Sequence, residues 1–139
     1  MKFLVDANVL SEPTKPEPVR RVVNWLRKHE TDLAVSPIIL GEFEYGILLL
    51  PAGRRRTRLS EWFAGGIKQL NVVELDAQTA SIWAKLLADL KRKGRVMPIK
   101  DSLIAATARQ HRLTVATRNV GDYRHAGVSV VNPFVEPSS

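Results

Sequence analysis

Four carboxylate residues occupy positions where the sequence predicts either the end of a strand or the inward face of a helix. Asp6 ends a predicted strand over residues 2–6, and Asp122 lies in the polar turn after a later apolar run. Glu42 and Asp101 each interrupt the apolar stripe of a predicted helix. Two carboxylates about 4 Å apart repel by about 4 kcal/mol at an effective dielectric constant of about 20. A converging set of this kind therefore requires protonation or a counter-ion.

The ligand types present favour a hard divalent cation. Mg²⁺ and Mn²⁺ prefer carboxylates and neutral oxygens, and Asn8, Thr117 and Asn119 could add such oxygens or orient water. The sequence has no cysteine, which excludes thiolate ligands and disulfides. We therefore predict an Mg²⁺ or Mn²⁺ cofactor held by the four carboxylates. Hydrolysis of a phosphodiester bond by metal-activated water is the chemistry that such a site supports.

Alternating strands and helices must bring these residues together. The predicted fold class is α/β, a central parallel sheet of four to five short strands with helices on both faces, in a single domain over residues 1–139. Strands are predicted over residues 2–6, 33–35, 71–75, 113–117 and 128–131. Right-handed crossovers place the ends of the first and fourth strands at one edge of such a sheet. Asp6 and Asp122 are therefore expected to share a site.

The helix predicted over residues 37–50 carries two acids with different expected positions. Glu42 follows Ile39 by three residues and precedes Gly46 by four, so it is predicted to lie on the inward stripe. Glu44 lies about 200° further round the helix and is expected to face solvent. A carboxylate that faces inward must be paired, protonated or bound to a metal ion.

A second inward acid heads the helix predicted over residues 100–111. Asp101, Ile104, Ala105 and Ala108 share one face, and the alternative role of Asp101 is to stabilise the helix dipole. The neighbouring Lys100 could contact phosphate, but we interpret it as an ordinary solvated lysine.

The charge balance permits a polyanionic partner. Lys and Arg number 21 against 14 acids, which gives a net charge of +7. The basic run Arg54–Arg58 could grip RNA, although a solvated helix start explains it more simply. No stretch has the features of a signal peptide or a membrane span, so a cytoplasmic protein is expected.

Two other functions remain open from the residues alone. A strand followed by Asp-x-Asp opens aspartyl-phosphate phosphatases, and the segment Asp6-Ala7-Asn8 differs from that motif by one residue. The second position is an amide here, whereas that chemistry needs a protonatable group for the leaving oxygen. A non-catalytic RNA- or protein-binding module could use the basic surface, but it would leave the inward acids without a role.

Four stretches of the sequence together resemble a known family. They are Leu4–Glu12, Gly41–Ile47, Asp101–Ala108 and Ala116–Tyr123, and they occur in this order along nearly the whole chain. The chain is similar to PIN-domain ribonucleases and, within that group, to VapC toxins of type II toxin–antitoxin systems, including the FitB-like branch. Position 7 is Ala, where many relatives have a hydroxyl residue, so one supporting hydrogen bond is expected to be missing.

The resemblance implies an endoribonuclease with an acidic, metal-binding pocket. The four acids of the family correspond to Asp6, Glu42, Asp101 and Asp122, and its polar helpers to Thr117 and Asn119, with Asn8 as a further candidate. It also implies a homodimer and a VapB-like antitoxin whose C-terminal segment covers the pocket. Operator DNA would be bound only through that antitoxin.

Overall fold

The computed structural model describes residues 1–135, in which five parallel strands form one sheet flanked by helices. The strands are β1 (Phe3–Val5), β2 (Leu33–Val35), β3 (Asn71–Val72), β4 (Thr114–Ala116) and β5 (Val130–Val131). The α-helices in this part of the chain are α1 (Ala7–Leu10), α2 (Arg20–Lys28), α3 (Pro37–Leu48), α4 (Arg54–Gly65), α5 (Ala77–Arg92) and α6 (Ile99–His111). The predicted fold class is confirmed.

The first strand lies at the centre of the sheet. The spatial order is β3-β2-β1-β4-β5, with Phe3 in register with Leu33 on one side and with Thr114 on the other. Strands covered on both faces are apolar throughout, and Leu4 and Val5 are accordingly almost fully buried. Strand order reverses between β1 and β4, so a crevice is expected where these two strands end.

The chain directly after β1 is helical. The short helix α1 is followed by a 3₁₀ turn, Glu12–Thr14. Val9 and Leu10 of α1 are buried in the core. Helix α1 is stabilised by the packing of these two side chains and by the N-cap at Asp6. A helix of four residues is too short for the periodicity of apolar residues to reveal it.

Helix starts agree closely with the sequence signals. The Ser36 side chain accepts a hydrogen bond from the amide of Ile38 at 3.1 Å, with Pro37 at the first helical position of α3. Asp76 and Thr79 form a reciprocal capping box at the start of α5, and Asp is a favoured N-cap residue.

The outer strands are shorter than predicted. The third strand spans two residues instead of five, and the fifth spans Val130–Val131 rather than residues 128–131. Both are edge strands with a ladder on one side only, so pairing ends where the neighbouring strand ends.

One contiguous hydrophobic core joins the sheet to the helices. No helix within residues 1–135 is long and apolar enough to cross a membrane. The predicted domain extends to residue 139, and its last residues, 136–139, lie outside the described part of the chain.

Candidate active site

Asp6 is held at the end of the central strand by both oxygens of its carboxylate. The side chain is 2% exposed; its Oδ1 accepts a hydrogen bond from the Ala7 amide at 2.8 Å, and its Oδ2 accepts one from the Thr117 hydroxyl at 2.8 Å. The Asp6 amide in turn donates to the carbonyl of Ala116 at 2.9 Å. Asp6 therefore has a fixed orientation between β1 and β4, at the crevice that the strand order creates.

The predicted polar helpers lie around Asp6 as a small hydrogen-bond network. The Thr117 hydroxyl accepts from the Asn119 amide at 3.1 Å and from the Asn8 side-chain amide at 3.4 Å. The Asn8 Oδ1 accepts from the Arg118 amide at 3.0 Å. Thr117 and Asn8 thus orient Asp6 and the loop after β4. Asn119 takes part in this network through its backbone amide, not through its side chain.

Asp101 is the second buried acid of the site. It lies in the first turn of α6 with 7% of its surface exposed, and the Tyr123 hydroxyl donates to its Oδ1 at 3.4 Å. Burial raises the pKa of Asp101, and the charges of Asp6 and Asp122 raise it further, against opposing effects of Lys100 and Tyr123. The negative charge of Asp101 is therefore incompletely compensated by the protein.

Tyr123 is a site residue that the sequence did not single out. It is 1% exposed, and burial together with the charges of Asp6 and Asp101 raises its pKa. The phenol consequently stays protonated and serves as a hydrogen-bond donor to Asp101. Its only sequence signal is its place next to Asp122 in the turn after β4.

Asp122 lies at the outer side of this acidic region. It is exposed, on the 3₁₀ turn Val120–Tyr123, and its charge raises the pKa of both Asp101 and Tyr123. It also lines a small cavity of about 140 Å³ together with Arg95 and His125. The expected proximity of the first and fourth strand ends is observed, with Asp122 at the rim of the site.

Glu42 does not face inward, contrary to the prediction. Its side chain is 40% exposed, and its Oε2 lies 3.0 Å from the Nζ of Lys100 on α6. The buried residues of α3 are Ile39 and Ile47. Gly46, which the predicted inward stripe included, has no side chain to bury. This shift of the apolar stripe places Glu42 at its border, where an ion pair is available.

Lys100 is not the ordinary solvated lysine that we expected. Burial lowers its pKa, but the hydrogen bond to Glu42 and the charges of Asp6, Glu42 and Asp101 outweigh that effect, so the pKa is raised. The ammonium group therefore lies within electrostatic reach of three of the four predicted metal ligands.

The donor set fits a hard divalent cation in type, but not as a preformed cage. The available groups are carboxylate, hydroxyl and amide oxygens, and the charge of Asp101 is incompletely compensated. Among the described residues, no three acidic or histidine side chains are arranged so that they could hold a metal ion. Asp6 lies close enough to Asp101 for its charge to raise the pKa of Asp101, whereas the Glu42 carboxylate pairs with Lys100. Metal binding by the four acids stays a prediction.

Basic side chains gather beside Asp122. The Nη1 of Arg95 lies 2.8 Å from the Nε2 of His125, and desolvation with the charges of Arg95, Arg124 and Lys93 lowers the pKa of His125. We refer to Lys93, Arg95, Arg124 and His125 as the basic edge. The sequence showed a run of cations after α5, but not that Arg95 reaches the turn carrying Asp122.

The chain is similar to a known family and to solved structures over nearly its whole length. Residues 3–127 match the sequence profile of the family described as PIN domain. Toxin FitB of Neisseria gonorrhoeae is 38% identical over 136 residues, which cover 95% of this chain and 98% of that protein. VapC ribonuclease Y4jK of Sinorhizobium fredii is 34% identical over 140 residues, covering 98% and 99%.

A solved structure described as FitAB bound to an IR36 DNA fragment has the same fold. It superposes with a TM-score of 0.90 at 36% identity and covers 98% of both chains.

Proposed function

This chain belongs to the PIN-domain family, and from that premise we propose that it is a metal-dependent endoribonuclease, the toxin of a type II toxin–antitoxin system. Family membership confirms the resemblance found in the four sequence stretches. The observation that carries the proposal is the buried pair Asp6 and Asp101 at the crevice between β1 and β4, where Asp101 has a raised pKa. Acids with perturbed pKa values in a crevice are typical of functional sites.

Asp6 and Asp101 are the groups that would hold Mg²⁺ or Mn²⁺, with Glu42 and Asp122 completing the set from the rim. A bound divalent ion supplies Lewis acidity toward the phosphate and lowers the pKa of the attacking water. In the hydrolysis, water provides the hydroxyl that bonds to phosphorus and the proton that the leaving oxygen takes up.

The surrounding polar residues fix the geometry of this pair. Thr117 donates to Asp6 and is itself held by Asn8, so the carboxylate keeps one rotamer. Tyr123 donates to Asp101 and stays protonated because burial raises its pKa. These residues act as positioning groups, since fixed ligands lose less entropy on binding.

RNA is the proposed substrate because a cationic surface adjoins the acids. Arg95 of the basic edge lines a cavity with Asp122, and the charges of Lys93, Arg95 and Arg124 lower the pKa of His125. Repulsion among these cations is relieved by a polyanion, whose phosphates would be positioned at the entrance to the acidic pocket.

The alternative functions are less well supported. In an aspartyl-phosphate phosphatase the residue two after the nucleophile is an acid, whereas Asn8 here uses its amide to bind Thr117 and Arg118. A pure binding module gives no reason for burying Asp101 beside Asp6, which raises the pKa of Asp101.

The proposal is tested with purified protein and a labelled single-stranded RNA. We expect cleavage with Mn²⁺, none with EDTA, and at least a 1,000-fold loss on Asp6→Asn, about the scale of removing a principal electrostatic group. Asn caps helices as well as Asp, so the circular dichroism spectrum should be unchanged. Cleavage that persists in EDTA contradicts the metal mechanism. Phosphate release from phosphomonoesters with RNA intact favours the phosphatase, and RNA binding without cleavage favours the module.

Two protein partners are part of the proposal. The similar solved structure is a complex named FitAB that includes DNA, which supports a cognate antitoxin that covers the pocket and carries operator DNA binding. Tyr45, Leu48 and Leu49 on and after α3 are 66%, 60% and 67% exposed, and such an apolar patch supports a homodimer interface. Light scattering of the chain alone, and after co-expression with the product of the adjacent gene, tests both partners.

A further inference from the structure

The ion pair between Glu42 and Lys100 joins α3 to α6 next to Asp101. The Nζ of Lys100 lies 3.0 Å from Glu42 Oε2, and the two side chains are 37% and 40% exposed. The charges of Asp6 and Asp101 also act on this ammonium group. A cation supplied by the chain thus lies among three of the proposed metal ligands.

The position of this cation follows from the helix. Lys100 directly precedes Asp101, so the two side chains diverge by about 100° around α6. Asp101 points into the protein and is buried, while Lys100 extends along the surface to α3. The same helical turn therefore carries a proposed metal ligand and a group that pairs with another proposed ligand.

The ion pair with Lys100 determines the side-chain position of Glu42 but not that of the buried Asp6. Asp6 is oriented by Ala7 and Thr117, and these contacts leave it in place whatever Lys100 does. Glu42, in contrast, is held by its ion pair with Lys100. In the part of the chain that the structure describes, no three acidic or histidine side chains are arranged to hold a metal ion.

We infer that Lys100 is an internal counter-ion that competes with the divalent metal for Glu42, so that metal binding requires the Glu42–Lys100 pair to break. This inference rests on the proposed function. Exposed ion pairs contribute little net free energy and exchange readily, so the competition lowers metal affinity without preventing binding. Lys100 is on this account a positioning residue that sets the metal concentration at which the site assembles.

The test is a calorimetric titration with Mn²⁺ in the absence of RNA. We expect Lys100→Met to tighten Mn²⁺ binding by about 10-fold, since it frees Glu42 and removes a competing charge. Lys85→Met is the matched control, because Lys85 is an exposed lysine on α5, and it should leave the affinity unchanged. Unchanged or weaker binding by Lys100→Met overturns the inference.

A double-mutant cycle separates pairing from a general charge effect. In the Glu42→Gln background, Lys100→Met should change Mn²⁺ affinity by less than about threefold, because the partner of the lysine is already absent. An equal tightening in both backgrounds shows that Lys100 acts only as a nearby positive charge, and it also overturns the inference.

Thermal unfolding provides a second readout that does not depend on catalysis. The rise in Tm on adding saturating Mg²⁺ should be larger for Lys100→Met than for the wild type, since metal-free protein has lost its counter-ion. An equal rise contradicts the competition. If the wild type binds no Mn²⁺ at all, the proposed function fails; if it binds Mn²⁺ and Lys100→Met matches it, only this inference fails.

Discussion

Two buried carboxylates of this protein have opposite pKa shifts, and the contrast separates structure from function. Glu12, in the 3₁₀ turn after α1, is 2% exposed, and Asp101 on α6 is 7% exposed. The hydrogen bond from Lys15, the amide of Val19 and the charge of Arg118 lower the pKa of Glu12 despite its burial. Burial and neighbouring acids raise the pKa of Asp101.

The contacts explain the difference. Glu12 Oε1 lies 2.9 Å from the Nζ of Lys15, and Oε2 accepts from the Val19 amide at 3.0 Å, so an ion pair and a hydrogen bond compensate this buried charge in the connection between α1 and α2. Asp101 accepts a long hydrogen bond of 3.4 Å from Tyr123, and the charge of Asp6 acts on it. A buried acid that the protein compensates stabilises the fold, whereas an uncompensated one is available to a ligand.

The largest expected effect is that of Asp101→Asn, which should abolish activity and raise stability together. RNA cleavage with Mn²⁺ should fall at least 1,000-fold. In EDTA, the free energy of unfolding at pH 7 should rise by about 1 kcal/mol, because the repulsion with Asp6 is gone and the amide oxygen can still accept from Tyr123. Urea unfolding and the RNA assay measure the two quantities.

The stability difference between the wild type and Asp101→Asn should depend on pH. Because folding raises the pKa of Asp101 above its ordinary value of 3.8, ionisation costs stability as pH rises through that value toward the raised one. Wild type and Asp101→Asn should therefore be equally stable below that range and diverge above it. Asp89→Asn, at an exposed acid of α5, is the control. A loss of stability in Asp101→Asn would place Asp101 with Glu12 as a structural acid.

Glu12→Gln should have the opposite sign. The amide oxygen can still accept from Val19 but loses the ion pair, so the free energy of unfolding should fall by about 1–2 kcal/mol at pH 7. Folding lowers the pKa of Glu12 below its ordinary value of 4.5, so its stabilisation is present above that pH and is lost as pH falls through the lowered value. Urea unfolding between pH 3 and pH 7, about the range in which this carboxyl titrates, should show the two proteins converging in acid.

The matched control for this change is Glu17→Gln, at an exposed acid in the same connection to α2. It should change stability by less than about 0.5 kcal/mol. RNA cleavage should survive Glu12→Gln at a temperature where the variant is folded, since the Glu12 carboxylate pairs with Lys15 and Val19, which are not proposed metal ligands. Equal effects of the two substitutions would contradict the compensated burial of Glu12.

The site residues that lie at the ends of strands could be predicted from the sequence. Asp6 follows an apolar run, and Thr117 ends another, so topology alone predicts that they meet between β1 and β4. Asp101 was recognisable because Ile104, Ala105 and Ala108 share its face of α6, and that face is buried. These are local patterns whose consequence is fixed by the fold class.

The residues that were missed depend on contacts between distant segments. Glu12 lies in a turn without periodicity, and its burial depends on α2 closing over it through the Val19 amide. The outward position of Glu42 depends on whether Gly46 or Ile47 of α3 meets the core, and periodicity cannot decide between adjacent residues. The Lys100 contact then follows from the distance between α3 and α6, which a sequence does not give.

The smallest expected effect is that of Lys15→Met, which tests whether the compensation of Glu12 is shared. Lys15 is 53% exposed, so solvent screens its attraction to the buried carboxylate, and its removal should cost only about 0.5–1 kcal/mol of unfolding free energy. The Val19 amide and the charge of Arg118 remain to hold Glu12. Urea unfolding at low and high NaCl measures this cost, and it should shrink at high salt because exposed charges are screened. A cost that equals that of Glu12→Gln and ignores salt would show instead that Lys15 alone compensates the acid, since only a desolvated pair escapes screening.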